Sequence, residues 1–318
     1  MRRDRSKTHQ PKARYHVRNW AAYNAGLINR GNVAMWIDEA ALASAPDAEP
    51  TCGRPRLYSD ALSQALLGVK TVFRLPLRAL QGFAQSLRDL AFATLPVPNY
   101  TTLCRRAQTR DVQLPIVRDG DPIHLVVDST GVKIDGEGEW KVSQHGYSKR
   151  RTWRKVHLAL DANTSQVRAA LMTHQDVADG DVLAELLEQI PTDEGLDTVS
   201  GDGACDSKPC DAAIAARGAT PSIPPRDGAV HWKATVPGAA WRNEAVDTIA
   251  RLGCRDWKKG CGYHRRPLAE NAMYRFKTLT GPCLWVRRVD SQATEVAIRV
   301  GMLNRMTELA SPQSVRIA

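Results

Sequence analysis

Three acids in this chain stand where acids can do chemistry: Asp128, Asp202 and Glu270. Asp128 closes the run His124-Leu125-Val126-Val127 and precedes Ser129-Thr130-Gly131. A short apolar, β-branched segment followed by turn residues reads as a buried strand that delivers the carboxylate at its C-terminal edge. Asp202 follows Leu196-Asp197-Thr198-Val199-Ser200 and lies between Gly201 and Gly203. That is a second strand end, with glycines that let a phosphate or metal approach the backbone. Glu270 lies in the run from Tyr263 to Lys277, spaced Tyr-x2-Arg-x3-Glu-x6-Lys by Tyr263, Arg266, Glu270 and Lys277. At about 100° per residue these four share a narrow sector of a helix, and Leu268, Ala272, Phe276 and Leu279 cluster opposite. Neighbouring cations keep such an acid ionised beside a polyanion and also hold phosphates. Taken alone, the same helix is equally a surface helix laced by an i,i+4 pair between Arg266 and Glu270.

Phosphodiester cleavage needs an activated water and help for the leaving oxygen, which a pair of divalent ions about 3.5–4 Å apart can supply. Oxygen-only ligation by three carboxylates selects Mg²⁺ or Mn²⁺, so two such ions are the expected cofactors. Pro267, favourable in a first helical turn, places Glu270 near the positive end of its helix and helps keep it charged.

The elements that must carry these acids are legible by period. Asp128 ends a first strand; segments 131–134, 154–161 and 166–172 read as antiparallel neighbours, with Val156, Leu158 and Leu160 on one face. An amphipathic helix spans 179–190 through Val182, Leu183, Leu186, Leu187 and Ile190. A strand to Ser200, a helix near 208–217 and a strand near Ile223 follow. Strands first and alternation after predict an α/β catalytic domain over 111–318, an RNase H-like mixed sheet flanked by helices.

Residues 1–110 are predicted to be an all-helical DNA-binding region. A basic tail over 1–14 comes first, then a helical pattern through Trp20, Tyr23 and Leu27, and a proline-rich linker over 45–55. Ser59 caps a helix, Pro76 opens a second, and Pro98-Asn99-Tyr100-Thr101 introduces a short, basic third. Three such helices fit a helix-turn-helix with Asn99, Tyr100, Thr101, Thr102, Arg105 and Arg106 toward DNA, or a plain bundle with a solvated face. Lys149-Arg150-Arg151-Thr152-Trp153-Arg154-Lys155 packs five cations and an aromatic into seven residues, and is read as gripping DNA rather than as a solvated hairpin tip.

Over 318 residues, 44 Lys and Arg against 34 Asp and Glu leave a net charge of +10, which suits a polyanionic partner without establishing one. Seven cysteines, with no Cys-x-x-Cys pair, fit reduced thiols better than a zinc site or disulfide framework. Neither a signal core nor a membrane-length apolar run is present, so a cytoplasmic location is expected.

In Asp128-Ser129-Thr130-Gly131, in Gly201-Asp202-Gly203-Ala204-Cys205-Asp206 and in the Tyr263–Lys277 run, the chain resembles the DDE transposases of bacterial insertion sequences, of the insertion sequence five group. The likeness extends through Gly138-Glu139-Trp140-Lys141 and Arg151-Thr152-Trp153-Arg154-Lys155, from about Tyr15 onward. It implies that Asp128 bridges two metal ions while Asp202 and Glu270 each complete one, and that Tyr263, Arg266 and Lys277 serve DNA. It also implies cutting to free a 3′-hydroxyl, attack of that hydroxyl on target DNA, and a homo-oligomer assembled on double-stranded DNA in a bacterial cytoplasm. Cys205 departs from the family, which carries Tyr there. It follows the acid rather than replacing it, so the departure bears on fine positioning. The alternatives are an RNase H-like structure-selective nuclease and a non-catalytic DNA-binding regulator. Tyr263 as a recombinase nucleophile would leave three acids without a role.

Overall fold

The computed structural model describes residues 14–42, 57–108, 112, 114–118, 120–134 and 153–317. Its centre is a six-stranded mixed sheet. Strands β2 (Ile123–Ile134), β3 (Trp153–Asp161) and β4 (Val167–His174) pair antiparallel; β5 (Leu196–Ser200) lies parallel to β2, and β6 (Thr220–Ser222) parallel to β5. The spatial order is β4-β3-β2-β5-β6, and a two-residue strand β7 (Cys283–Leu284) joins the far end of β2. The sixth strand, near the expected Ile223, ends one residue earlier.

Alternation, with a register shift between β3 and β4 at Ala159/Leu160, divides the sheet between two cores. Leu125, Val127, Ala159, Ala169 and Val199 face helices α6 (Asp179–Glu188) and α7 (Lys208–Ala216), meeting Leu183, Leu186 and Ile214. Val132, Val156, Leu158, Leu160 and Val167 face α10 (Pro267–Thr280) and α11 (Val289–Leu309), meeting Met273, Phe276, Val300 and Leu303. A fully buried leucine such as Leu158 contributes about 1.5–3 kcal/mol over leaving it in water. Between β6 and α10 run two further helices, α8 (Ala239–Leu252) and α9 (Cys254–Gly260).

The sequence placed Asp128 at a strand end and began a new strand at Gly131; the chain instead runs as one 12-residue strand through both. Pairing with β3 decides this, since Ser129, Thr130 and Gly131 lie opposite His157, Val156 and Lys155. Gly131 serves a close approach rather than a turn: a Cβ there would sit 3.2 Å from the Trp153 ring.

The N-terminal region is not all-helical as expected: a strand β1 (Arg14–Val17) comes first, then α1 (Trp20–Asn29), α2 (Glu39–Leu42), α3 (Asp60–Val72), α4 (Leu77–Leu90) and α5 (Tyr100–Arg106). The Ser59 cap read from sequence is present, and Asn99, read there as facing DNA, is a second cap. Ser59 Oγ accepts from Leu62 N at 3.1 Å, and Asn99 Oδ1 from Thr101 N at 2.9 Å. These helices share a core with the end of the chain: Leu62, Leu66, Leu80 and Leu103 pack with Ile298, Met302 and Met306 of α11. A last strand, β8 (Ser314–Ile317), returns to pair antiparallel with β1. The linker read at 45–55 lies outside the described residues.

Candidate active site

Pairing of β2 with β5 ends at Val126 and Ser200, and β7 joins β2 only at Lys133. Between those points, among the described residues, β2 has a strand partner on one side alone, and Asp128 lies in that interval. Its carboxylate is only 13% exposed. Burial pushes its pKa up; the Ser129 N–H and Arg266 oppose that, and nearby Asp179 and Asp202 reinforce it. The Ser129 N–H donates to Oδ1 at 2.9 Å, and Arg266 Nη2 lies 3.1 Å from Oδ2.

Asp202 follows β5 by two residues and caps a single 3₁₀ turn, Gly203–Cys205, its Oδ1 accepting from Ala204 N at 2.9 Å. Close approach governs its neighbour: a Cβ on Gly201 would lie 3.0 Å from the Cys205 sulfur. Cys205 is buried against Gly201, in the same core as Cys210. Its side chain is therefore part of the packing behind Asp202.

Glu270 lies in the first turn of α10, and Pro267 starts that helix as its sequence requires. The helix starts later than the residue spacing suggested. Tyr263 belongs to a separate 3₁₀ turn, Tyr263–Arg265, entered through Gly262 at φ +73°. Arg266, at the junction, reaches both acids: Nη1 is 3.6 Å from Glu270 Oε1 while Nη2 holds Asp128. One guanidinium thus joins acids that are 142 positions apart in the chain (270 − 128). Burial raises the Tyr263 pKa, Arg266 opposes it, and Asp202 and Asp128 add to it, so the phenol keeps its proton. Its ring centroid is 6.3 Å from that of Trp257, and Lys258 Nζ lies 4.9 Å from it. Lys277 is half-buried on α10, and burial lowers its pKa.

A fourth acid, unforeseen in the sequence, stands behind Asp128. Asp179 starts α6, with Oδ1 2.9 Å from Lys155 Nζ and 3.0 Å from His157 Nδ1. Burial opposes its charge, yet His157, Ser129 and Lys155 together hold its pKa well below the usual carboxylate range. His157 Nε2 is in turn 2.8 Å from Thr173 Oγ1. An Asp at the start of an amphipathic helix reads only as a cap, and nothing local signals its partners two strands away.

The basic residues read as DNA contacts are differently engaged. Lys155 is held by Asp179 and by the Val177 carbonyl at 2.9 Å, and Arg154 Nε donates to Gln292 at 2.9 Å. Trp153 packs over Gly131, with Lys133 Nζ 5.5 Å from its ring centre. Arg106 pairs with Asp60 at 2.6 Å and donates to the Tyr58 carbonyl at 2.7 Å, whereas Arg105 is exposed. Lys149, Arg150 and Arg151 lie outside the described residues, as does the 138–141 segment.

The donor set suits a hard divalent ion: carboxylate oxygens, one of them desolvated, with a cation already between two of them. Arg266 stands in for that positive charge. Among the described residues, no three potential ligands are drawn together around a single point.

Two family models, each described as a transposase DDE domain, match the chain, one over residues 28–137 and one over residues 119–305. Among solved structures the chain is similar to one titled "CryoEM structure of simian T-cell lymphotropic virus intasome in complex with PP2A regulatory subunit B56 gamma". The identity is 13%, over 67% of this chain and 69% of that chain, and at a TM-score of 0.22 the likeness carries no argument. No described helix is long and apolar enough to cross a membrane.

Proposed function

This chain belongs to the transposase DDE domain family, and from that premise we propose that it is an insertion-sequence transposase that cuts DNA at transposon ends and joins the freed 3′-hydroxyl to target DNA. The observation that carries the reading is the double contact of Arg266, which gathers Asp128 and Glu270 from opposite ends of the catalytic region.

In this reading Asp128, Asp202 and Glu270 hold Mg²⁺ or Mn²⁺, two ions in all, on an RNase H-like sheet. Bound there, the ions supply the activated water or hydroxyl and stabilise the leaving oxygen. Asp128, desolvated and with Asp179 and Asp202 nearby against the one guanidinium of Arg266, would gain most from a further cation. Glu270, exposed at the start of α10, is free to swing toward substrate, and its helix end favours its charge. Arg266, which here contacts both acids, would also suit a DNA phosphate, for which a planar guanidinium is well shaped. Lys277 adds a second phosphate contact further along α10. Tyr263, protonated, donates a hydrogen bond beside the acids.

Arg105 and the run 149–151 extend the DNA path, and the helices within residues 1–110 recognise the ends. Lys155, Arg154, Trp153 and Arg106 support this surface from within, through the bonds described above. Assembly as a homo-oligomer on double-stranded DNA, in a bacterial cytoplasm, completes the proposal.

The test offers the full chain a labelled DNA end, taken from the sequence flanking its gene, with Mg²⁺ or Mn²⁺, and follows nicking and joining. Asp128→Asn, Asp202→Asn and Glu270→Gln should each abolish both steps while leaving DNA binding intact. Double variants should be scarcely worse, because residues that act as a unit are not additive. A folded Glu270→Gln chain that nicks and joins at the parental rate refutes the three-acid site. Cutting without joining makes the protein a nuclease, and tight binding without cutting makes it a regulator.

A further inference from the structure

Asp202 is poorly held by its own element, since it lies two residues beyond a five-residue strand and caps a turn of only three residues. So short a 3₁₀ turn has little cooperative stability of its own. Its shape depends on what grips it from outside.

Arg226, from the segment after β6, closes on that turn. Its Nε donates to the Gly203 carbonyl at 3.0 Å and its Nη2 to the Ala204 carbonyl at 3.1 Å. The Gly203 carbonyl and the Ala204 N–H belong to one peptide unit, and that N–H is the donor to Asp202 Oδ1. Arg226 and Asp202 thus hold opposite ends of the same peptide. A cation on the carbonyl end polarises the amide and strengthens the bond it gives to the carboxylate.

Arg226 is fixed in turn. Its backbone N–H donates to Asp206 Oδ2 at 2.8 Å, directly after the turn. Asp206 is buried and takes Arg242 of α8 in a fork, at 2.6 and 3.3 Å. Arg242 also donates to the Val230 carbonyl at 2.8 Å and lies 4.1 Å from the Trp232 ring centre. Asn243 holds Trp232 at both its N–H and its carbonyl, at 2.8 and 2.9 Å. The chain between β6 and α8 is thereby folded back onto the turn that carries Asp202.

We infer that Arg226, backed by the Asp206–Arg242 pair, is a positioning residue that orients the Asp202 carboxylate through the Gly203–Ala204 peptide. This rests on the metal-binding role proposed above for Asp202, and the test separates the two.

Arg226 is exposed, so Arg226→Ala should leave the fold intact where Arg242→Ala would strip a buried acid of its partner. Two quantities are measured on the full chain: amide exchange at Ala204, and Mn²⁺ affinity by the loss of the free-ion paramagnetic resonance signal. In Arg226→Ala, exchange at Ala204 should quicken at least about tenfold and Mn²⁺ affinity fall about 10–100-fold, as for other partners that orient metal ligands. Arg226→Lys, which keeps the charge but not the fork, should fall between. On an Asp202→Asn background Arg226→Ala should leave Mn²⁺ affinity unchanged.

Unchanged exchange in Arg226→Ala overturns the inference, and so does quickened exchange with parental Mn²⁺ affinity. A further loss of affinity in the double variant overturns it as well, since Arg226 would then act elsewhere. A parental chain that takes up no Mn²⁺ overturns the metal reading itself; exchange at Ala204 then still decides whether Arg226 holds the turn.

Discussion

Replacing Arg266 by Met removes the guanidinium and keeps much of the side chain's length, and the consequences for the two acids should differ. The Nη2–Oδ2 contact with Asp128 at 3.1 Å corresponds to a gross attraction of ~5 kcal/mol at an effective dielectric of about 20. Arg266 is 22% exposed and Asp128 13%, so solvent screening reduces this to roughly 2–3 kcal/mol of coupling. The contact with Glu270 is longer, at 3.6 Å, and the glutamate is 62% exposed, which limits that pair to at most about 1 kcal/mol. Asp128 already has a folded-state pKa above its unfolded one. Its ionisation therefore costs stability as pH rises through the unfolded and then the folded value, and without Arg266 the cost grows. The difference between parent and Arg266→Met should be small near pH 4 and largest at pH 8. Urea unfolding of a double-mutant cycle with Asp128→Asn, in the absence of divalent ions, measures the coupling. Coupling below about 0.5 kcal/mol at pH 8, or equal coupling in the cycle with Glu270→Gln, would refute the assignment of Arg266 to Asp128.

Other outcomes follow from buried charges elsewhere. Asp211 is desolvated, and with Asp206 and Cys210 nearby its pKa is raised to about 7 despite Arg242. The parent should lose stability between about pH 4 and 7, by up to ~4 kcal/mol. Asp211→Asn should remove that loss in urea titrations at pH 5 and 8. Asp179 has the opposite sign: its lowered pKa gives stability that is present above the unfolded value and is lost as pH falls below it, so Asp179→Asn should flatten the acid limb of the pH–stability curve. Glu295 accepts from the N–H groups of Trp285 and Val286 and pairs with Arg299, which also donates to the carbonyls of Gly281 and Cys283. Glu295→Ala should cost about 3–5 kcal/mol by chemical denaturation, because it leaves a buried arginine uncompensated.

Legibility in the sequence followed the range of the interactions. Caps, helix starts and alternating strands are local, and Ser59, Pro267 and the β3 face through Val156, Leu158 and Leu160 were read correctly. Ser129-Thr130-Gly131 has turn composition, yet pairing with a strand more than 20 residues later drew it into β2. The acids Asp128, Asp202 and Glu270 could be singled out by residue type and spacing. The local pair of Arg266 with Glu270 was legible by its i,i+4 spacing, whereas the reach of Arg266 to Asp128, and the partners of other basic residues, were not, because a basic residue carries no local sign of a distant acid. Lys155 and Arg106 are the examples: each belongs to a basic run, and each is bound to a carboxylate from another element. Arg226, Asp206 and Arg242 are set in ordinary-looking sequence, and only the return of α8 onto the Asp202 turn relates them.

The sharing of α11 between the N-terminal helices and the sheet has a consequence for synthesis. Arg30 donates to the carbonyls of Met306 and Ala310, 276 and 280 positions further along. At elongation rates of ~5–20 residues per second, those partners emerge roughly 15–55 s after Arg30 does. Throughout that interval the apolar faces of α3 and α4 lack the methionines and isoleucine that cover them, and β1 lacks its strand partner. These helices are therefore sealed only once α11 has been made, and their need for chaperone cover should scale with the time the ribosome takes to reach it.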